Sequence, residues 1–254
     1  MVLQIQPTKS EPTVTWTALP EDYILPDDPV ENIQQPLLAA ALTEALTVAK
    51  LTQPQMLIGS NFGLVATVND NIIVKAPDWF YVPEVEPVDE GVIRRSYTPN
   101  LQGKPVAIVM EFLSHKENDE LSGCSTLPYG KLYFYEQILK VPTYVIYNPY
   151  KQSIEVRRLE SGKYKLESPN EKEHFWIPEL ELFLGIWKGE RLGQNINWLR
   201  WWDKSENLLL WSEEKNKQAE QRVEQEKQRA DLEKQRAERL VAKLRDLGID
   251  PDSL

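Results

Sequence analysis

The chain has 254 residues, of which 41% are hydrophobic, and this is enough for one folded domain with an appendage. Its formal net charge is −10, and almost all of the excess falls before residue 211, where 28 acidic and 19 basic side chains occur. An acidic body argues against tight non-specific DNA binding, but it is compatible with an enzyme whose carboxylates collect a divalent cation.

Cysteine content and hydropathy exclude several further classes of protein. The single cysteine, Cys124, excludes an internal disulfide and a cysteine-cluster metal site. No apolar run reaches the roughly 18 residues of a membrane span. Residues 1–4 lack the basic region and the apolar run of a signal peptide. We therefore expect a cytoplasmic protein.

The first 35 residues are polar and rich in proline. They predict an extended arm that crosses the surface, with a short strand at residues 13–17. Pro36 suits the first turn of a helix, and apolar residues then recur at helical spacing. This helix should end near Leu51, before Pro54.

Short apolar segments follow the first helix and predict strands at residues 55–60 and 64–68. Residues 72–75 then lead into residues 76–82, which we read as one strand with Pro77 near its start. A long acidic and polar connection comes next, before the most apolar part of the chain.

That apolar part is residues 105–114, which we expect at the centre of the fold. Residues 106–110 form a continuous apolar run that suits a strand buried on both faces, although a buried helix segment has the same pattern. Three of them are β-branched, which favours the strand. Glu111 interrupts the run. It either reaches water at the strand end or is paired, protonated or metal-bound, because an unpaired buried charge is costly.

The rest of the body predicts alternating helices and strands. The predicted elements are a helix at 127–138, a strand at 141–147, a hairpin of 153–159 with 163–166, a short helix at 179–187, and a second hairpin of 198–202 with 208–211.

The C-terminal residues differ sharply in composition from the body. From Glu213 the chain is rich in Glu, Lys, Gln, Arg and Ala, and neither Gly nor Pro occurs before Gly248, so we predict one long helix. A heptad register runs over more than four repeats. Two of its core positions are Glu226 and Glu233, so a solvated single helix competes with a coiled coil.

Three residues of the body could carry chemistry. Asp78 follows a proline at the start of one strand, Glu111 ends the apolar core of another, and Lys131 begins the next helix. Two carboxylates from neighbouring strands can hold Mg²⁺, which takes few protein carboxylates and keeps its waters. Such a metal lowers the pKa of a bound water and stabilises charge on a phosphate oxygen. A nearby lysine can orient the water or neutralise the transition state.

The ordered set of motifs resembles the Uma-two family of restriction-endonuclease-like proteins, in the PD-(D/E)XK nuclease superfamily. The resemblance covers roughly residues 35–211 and implies a restriction-endonuclease-like fold, α/β (α+β), with a mixed sheet flanked by helices. The motifs that carry it are Pro77-Asp78, Glu111-Phe112-Leu113-Ser114, Lys131-Leu132-Tyr133-Phe134-Tyr135, and residues 141–149.

The resemblance also implies residue roles. Asp78 and Glu111 match the metal-binding carboxylates. The lysine of the superfamily usually stands two residues after the glutamate, but that position is Leu113 here. In this family the lysine is displaced to the following helix, which assigns the role to Lys131, and the spacing from Lys131 to Tyr135 fits the family pattern.

Two positions depart from the family pattern. His115 stands where relatives often have a proline, and residues 125–130 lack the acidic residue that often precedes the lysine. These departures, together with the acidic body, favour a second hypothesis. The chain could be a catalytically inactive nuclease-like protein that acts as an interaction module through a coiled-coil tail.

The leading hypothesis is a Mg²⁺- or Mn²⁺-dependent endonuclease that hydrolyses DNA phosphodiester bonds, with Asp78, Glu111 and Lys131 as catalytic residues. We predict three parts: an extended arm at 1–35, a restriction-endonuclease-like domain at 36–211, and a charged helical or coiled-coil tail at 212–254. We also predict a homodimer without membrane contact, in which the tail contributes weakly.

Overall fold

The computed structural model describes residues 12–20, 22–24, 32–114 and 123–246, with side chains as far as residue 243. Much of the predicted arm, and His115, lie outside these residues. The chain divides into two compact units, Met1–Leu209 and Leu210–Leu254. Among the described residues, no helix combines the length and the apolar character that a membrane crossing requires.

The first unit contains twelve described strands and two helical segments. The helical segments are α1 (Gln34–Val48) and α2 (Lys131–Tyr133), which continues as a π-helical turn (Phe134–Ile138). The strands are β1 (Val14–Thr15), β2 (Leu57–Gly59), β3 (Leu64–Val68), β4 (Asn71–Lys75), β5 (Trp79–Val82), β6 (Ile108–Phe112), β7 (Thr143–Asn148), β8 (Ser153–Glu160), β9 (Lys163–Leu166), β10 (Phe175–Ile177), β11 (Leu182–Arg191) and β12 (Gln194–Trp202).

A six-stranded sheet with the order β2-β5-β6-β7-β8-β9 forms the centre of this unit. Strands β6 and β7 run parallel, and the other neighbouring pairs run antiparallel. The pattern confirms the predicted mixed sheet, and it confirms that the strand after Asp78 lies next to the strand that carries Glu111. The apolar run of β6 is a strand, as its β-branched residues indicated, and it is buried along its length.

One face of the sheet packs against α2, the π-helical turn and the smaller sheet β1-β3-β4. Side chains alternate between the two faces of a strand, so every second residue of β5, β6 and β7 enters this core. The central members of the core are Phe80, Val82, Val109, Phe134, Tyr135, Ile138, Tyr144 and Ile146.

The opposite face packs against α1 and the sheet β10-β11-β12. The rings of Trp79 and Trp201 lie 6.0 Å apart. The Nε1 group of Trp79 donates to Thr43 Oγ1 at 3.0 Å, and that of Trp201 donates to the Leu42 carbonyl at 3.2 Å. These bonds fix α1 on the sheet. Helix α1 starts two residues earlier than Pro36, because Asn32 Oδ1 accepts the main-chain N–H groups of residues 34 and 35.

The predicted strand at residues 76–82 is shorter in the structure. It begins only at Trp79, and the preceding β4 belongs to a different sheet, where it pairs with β3. Pro77 has no N–H group for a strand ladder, and its carbonyl accepts instead from the Asn61 main chain at 3.0 Å. The chain therefore bends at Asp78 and changes sheet.

The predicted short helix at residues 179–187 is wrong. Residues 182–191 form β11, whose residues 183–191 pair with β12 across a turn at Leu192 and Gly193, both with positive φ. The predicted second hairpin is confirmed only next to its turn. An antiparallel bridge joins Trp202 to Leu208, and the Leu209 N–H donates to the Trp201 carbonyl at 2.9 Å, but the long hairpin partner of β12 is β11.

The second unit contains the long helix α3, Ser212–Asp246, which confirms the predicted C-terminal helix. At 1.5 Å per residue it is about 50 Å long. Three of its large apolar side chains are exposed: Val223 at 65%, Leu232 at 58% and Leu240 at 63%. Self-association of α3 stays a prediction.

Candidate active site

Glu111 lies near the end of β6, in the middle of the six-stranded sheet, and its exposed fraction is 0%. Its neighbours at alternate positions, Val109 and Leu113, belong to the core between the sheet and α2. The carboxylate therefore points into that core and does not reach water at the strand end. Since burying an unpaired carboxylate is costly, its partners decide whether this arrangement is stable.

Both oxygens of the Glu111 carboxylate accept a hydrogen bond. Lys131 Nζ lies 2.9 Å from Oε2, and the Tyr135 hydroxyl donates to Oε1 at 2.8 Å. Lys131 and Tyr135 are four residues apart, so they lie on one side of the helical segment that covers the sheet. An ion pair with both oxygens satisfied is the geometry that offsets the desolvation of a buried charge.

Asp78 lies at the bend directly before β5 and is 8% exposed. Trp79 is paired with Met110 in the antiparallel register, so continuing the register by one residue places Asp78 opposite Glu111. Asp78 Oδ2 accepts a hydrogen bond of 2.6 Å from the main-chain N–H of Phe112, the residue after Glu111. The two carboxylate residues thus lie side by side on adjacent strands.

Both carboxylates act on the hydroxyl of Tyr135. Burial raises the pKa of Tyr135 well above its ordinary value, and the negative charges of Glu111 and Asp78 raise it further because they oppose formation of a phenolate. Tyr135 therefore remains a hydrogen-bond donor at neutral pH and keeps the Glu111 carboxylate in a fixed orientation.

One buried residue next to the carboxylates was not singled out in the sequence. Gln35, in the first turn of α1, donates from Nε2 to the Phe112 carbonyl at 2.7 Å. The contact joins residues 77 positions apart. Nothing in the sequence around Gln35 indicates this contact, because the contact depends on how α1 docks on the sheet.

The structure thus brings Asp78, Glu111 and Lys131 together, as the sequence predicted, and adds Tyr135 and Gln35. Within the described ranges, no group of three or more His, Cys, Asp or Glu side chains is arranged to hold a metal ion. The site offers two carboxylates, and their roles in catalysis and metal binding stay predictions.

The fold is restriction-endonuclease-like, a mixed sheet flanked by helices with an additional C-terminal helix. A family model, Uma2, described as "Putative restriction endonuclease", matches residues 22–192. The match spans about two thirds of the chain, so the chain belongs to this family. The matched segment contains Asp78, Glu111 and Lys131 and ends before α3. No curated protein matches the chain.

Proposed function

We propose that this chain is a Mg²⁺- or Mn²⁺-dependent endonuclease that hydrolyses phosphodiester bonds in DNA. The observation that carries the proposal is the buried Glu111 carboxylate, which holds Lys131 and Tyr135 on its two oxygens beside Asp78. Membership of a family whose description is "Putative restriction endonuclease" supports the reaction class and the DNA substrate.

The residues present fit a hard divalent cation. Asp78 and Glu111 offer carboxylate oxygens, and Mg²⁺ is commonly held by one or two protein carboxylates with water in its other positions. The two carboxylates and the Lys131 ammonium group together carry a charge of −1, which favours a further cation. Asp78 and Glu111 would hold the metal. When bound, it would lower the pKa of a coordinated water and stabilise negative charge on a phosphate oxygen.

The side chains themselves are held in place before any substrate arrives. Glu111 holds the Lys131 ammonium at 2.9 Å, and the side chain of Lys131 is 20% exposed, so it lies between the buried carboxylate and the solvent. From this position it is suited to neutralise the charge that develops on a phosphate. Tyr135 and the Phe112 N–H restrain the two carboxylates. Donors and charges that need no rearrangement contribute most to transition-state stabilisation.

The homodimer and the cytoplasmic location are further parts of the proposal. In the dimer, the folded body supplies the main contact and α3 a weaker one, since the α3 heptad core contains Glu226 and Glu233.

A plasmid-nicking assay tests the proposed activity. Wild-type protein should convert supercoiled DNA to nicked or linear forms with Mg²⁺ or Mn²⁺ and should fail to do so in EDTA, and Asp78→Asn should be inactive under both conditions. Asp203→Asn is the matched control, because Asp203 also accepts main-chain N–H bonds, from Ser205 and Asn207, but in an exposed turn. It should cleave like the wild type.

Cleavage in EDTA, or equal cleavage by wild type and Asp78→Asn, would show that the proposed mechanism is wrong. A wild-type chain that neither cleaves DNA nor gains thermal stability from Mn²⁺ would favour the inactive interaction module instead. The exposed charged helix α3 is the feature of the chain that suits that second function.

A further inference from the structure

We infer that Gln35 is a positioning residue of the proposed active site, which holds the Phe112 main chain and thereby sets the relative orientation of Asp78 and Glu111. The inference rests on the proposed function. Gln35 lies on α1 and precedes in the chain every residue that the family resemblance assigned to the site.

The main chain at Phe112 is held on both sides by buried side chains. Its N–H donates to Asp78 Oδ2 at 2.6 Å, and its carbonyl accepts from Gln35 Nε2 at 2.7 Å. Phe112 directly follows Glu111 and is the last residue of β6. One peptide segment therefore connects the proposed metal-binding carboxylates to Gln35, and a shift of this segment would move Glu111 relative to Asp78.

The orientation of the Gln35 amide follows from chemistry. A main-chain carbonyl can only accept hydrogen bonds, so the NH₂ group of Gln35 must face Phe112. Gln35 is 6% exposed, and removing its donor would leave the Phe112 carbonyl buried without this partner. A carboxylate in place of the amide would turn an acceptor towards the carbonyl and add a third negative charge beside the site.

Gln35 stands on a helix that is anchored at its first turn and near its middle. Asn32 Oδ1 accepts the main-chain N–H of Gln35 at 3.2 Å and so caps the first turn of α1. Further along, α1 is fixed to the sheet by the bond from Trp79 Nε1 to Thr43 Oγ1. A positioning group is effective when it stands on a packed element, and α1 is packed against the sheet through these bonds.

The chain offers a matched control for Gln35. The Tyr164 hydroxyl also donates from a largely buried side chain to a main-chain carbonyl, that of Val141, at 2.9 Å. Tyr164 lies on β9, at the edge of the six-stranded sheet, three strands away from β6. Gln35→Met and Tyr164→Phe each remove one such donor with little change in volume.

The test uses the full-length chain and two readouts. The Mn²⁺ dissociation constant is measured by calorimetry, and hydrogen exchange by mass spectrometry follows a peptide that contains residues 108–112. We expect Gln35→Met to weaken Mn²⁺ binding about 10- to 100-fold, as for other residues that orient metal ligands, and to accelerate exchange in that peptide. Tyr164→Phe should lower the melting temperature and leave both readouts unchanged.

A second variant covers the case in which Gln35→Met fails to fold. Gln35→Asn keeps the amide but is one methylene too short to reach Phe112, so it should weaken Mn²⁺ binding in the same direction. If both Gln35 variants bind Mn²⁺ like the wild type while Asp78→Asn does not, Gln35 is merely structural and the inference is wrong, although the proposed function stands. If the wild type binds no Mn²⁺, the proposed metal site fails and the inference fails with it.

Discussion

The two ends of the parallel strand pair β6 and β7 carry clusters built from the same ingredients. At one end, Glu111 is bound by a lysine and by the Tyr135 hydroxyl. At the other end, Glu179 Oε1 accepts from Arg158 Nη1 at 2.9 Å and from the Thr143 hydroxyl at 2.8 Å. We call the second group, Arg158, Glu179 and Thr143, the Arg158 cluster. Each end thus pairs a carboxylate with a cation and a hydroxyl.

The two clusters differ in the cation. The guanidinium of Arg158 is a planar fork, and it contacts Thr143 on β7, Glu179 and the Trp176 carbonyl on β10. It therefore ties the central sheet to the sheet β10-β11-β12. Lys131 carries a compact ammonium group on a flexible stem, which suits a charge that must meet a substrate.

The clusters also differ in the burial of their carboxylates. The second carboxylate near Arg158, that of Glu167, is 37% exposed at a distance of 3.7 Å, so water screens its charge. Asp78 and Glu111 are both buried. Two buried carboxylates on adjacent strands repel each other and favour a bound cation. The Arg158 cluster joins two sheets, whereas the Glu111 end has the two buried carboxylates on which the proposed activity rests.

The largest expected difference between the two ends is in activity. Glu111→Gln should lower DNA cleavage on the order of 10³-fold, because loss of a proposed metal ligand would remove several kcal/mol of transition-state stabilisation. Glu179→Gln, the same change at the other end, should leave the cleavage rate of the folded protein unchanged. Single-turnover cleavage rates of both variants measure this difference. Equal losses would show that the two clusters do not differ in function.

The next difference concerns stability and its rescue by metal. Arg158→Met should cost about 3 kcal/mol, because removing one partner of a largely buried ion pair leaves the other uncompensated. Lys131→Met should also destabilise the fold, but Mn²⁺ should restore much of that loss, since a cation bound to Asp78 and Glu111 replaces the missing charge. Urea unfolding with and without Mn²⁺ measures both effects. A comparable Mn²⁺ rescue of Arg158→Met would contradict the distinction.

At alkaline pH, the hydroxyl groups at the two ends should differ in their effect on the unfolding free energy. The pKa of Tyr135 is raised in the folded protein, so above pH ~10 the unfolded chain loses this proton while the folded chain keeps it. The resulting stability is fully present below pH ~10 and falls as the pH rises.

Tyr135→Phe should therefore make the decline of unfolding free energy shallower by about 1.4 kcal/mol per pH unit above pH ~10. Thr143→Val, which removes the hydroxyl of the Arg158 cluster, should leave the slope unchanged. Urea titrations between about pH 9 and pH 11 (one unit to either side of the ordinary tyrosine pKa) provide the measurement. An unchanged slope in Tyr135→Phe would mean that its hydroxyl ionises equally in both states.

The smallest effect is expected from the C-terminal helix. Deleting residues 215–254 should change the unfolding free energy of the body by no more than about 0.5 kcal/mol, because the described side chains of α3 are mostly exposed. The stabilisation of the body by Mn²⁺ should be unchanged as well. Sedimentation should show a weaker dimer. Identical mass and dissociation constant in full-length and truncated protein would mean that α3 takes no part in self-association.

Local patterns in the sequence were sufficient for several parts of this protein. The composition of α3 and the apolar spacing of α1 predicted helices, and β-branched residues predicted β6, because these signals come from neighbours along the chain. Glu111 stood out because a charge within an apolar run needs an explanation, and Asp78 stood out because it follows a proline at a strand start, in a motif of the family.

Other features were decided only by contacts between distant residues. Residues 182–191 became a strand because β12 pairs with them, and the chain changed sheet at Pro77 because its carbonyl found a partner outside the strand ladder. The contact between Gln35 and Phe112 arises when α1 docks on the sheet. The sequence by itself determined which residues need partners, and tertiary packing decided which partners they have, because hydrogen bonds and burial depend on distance in space.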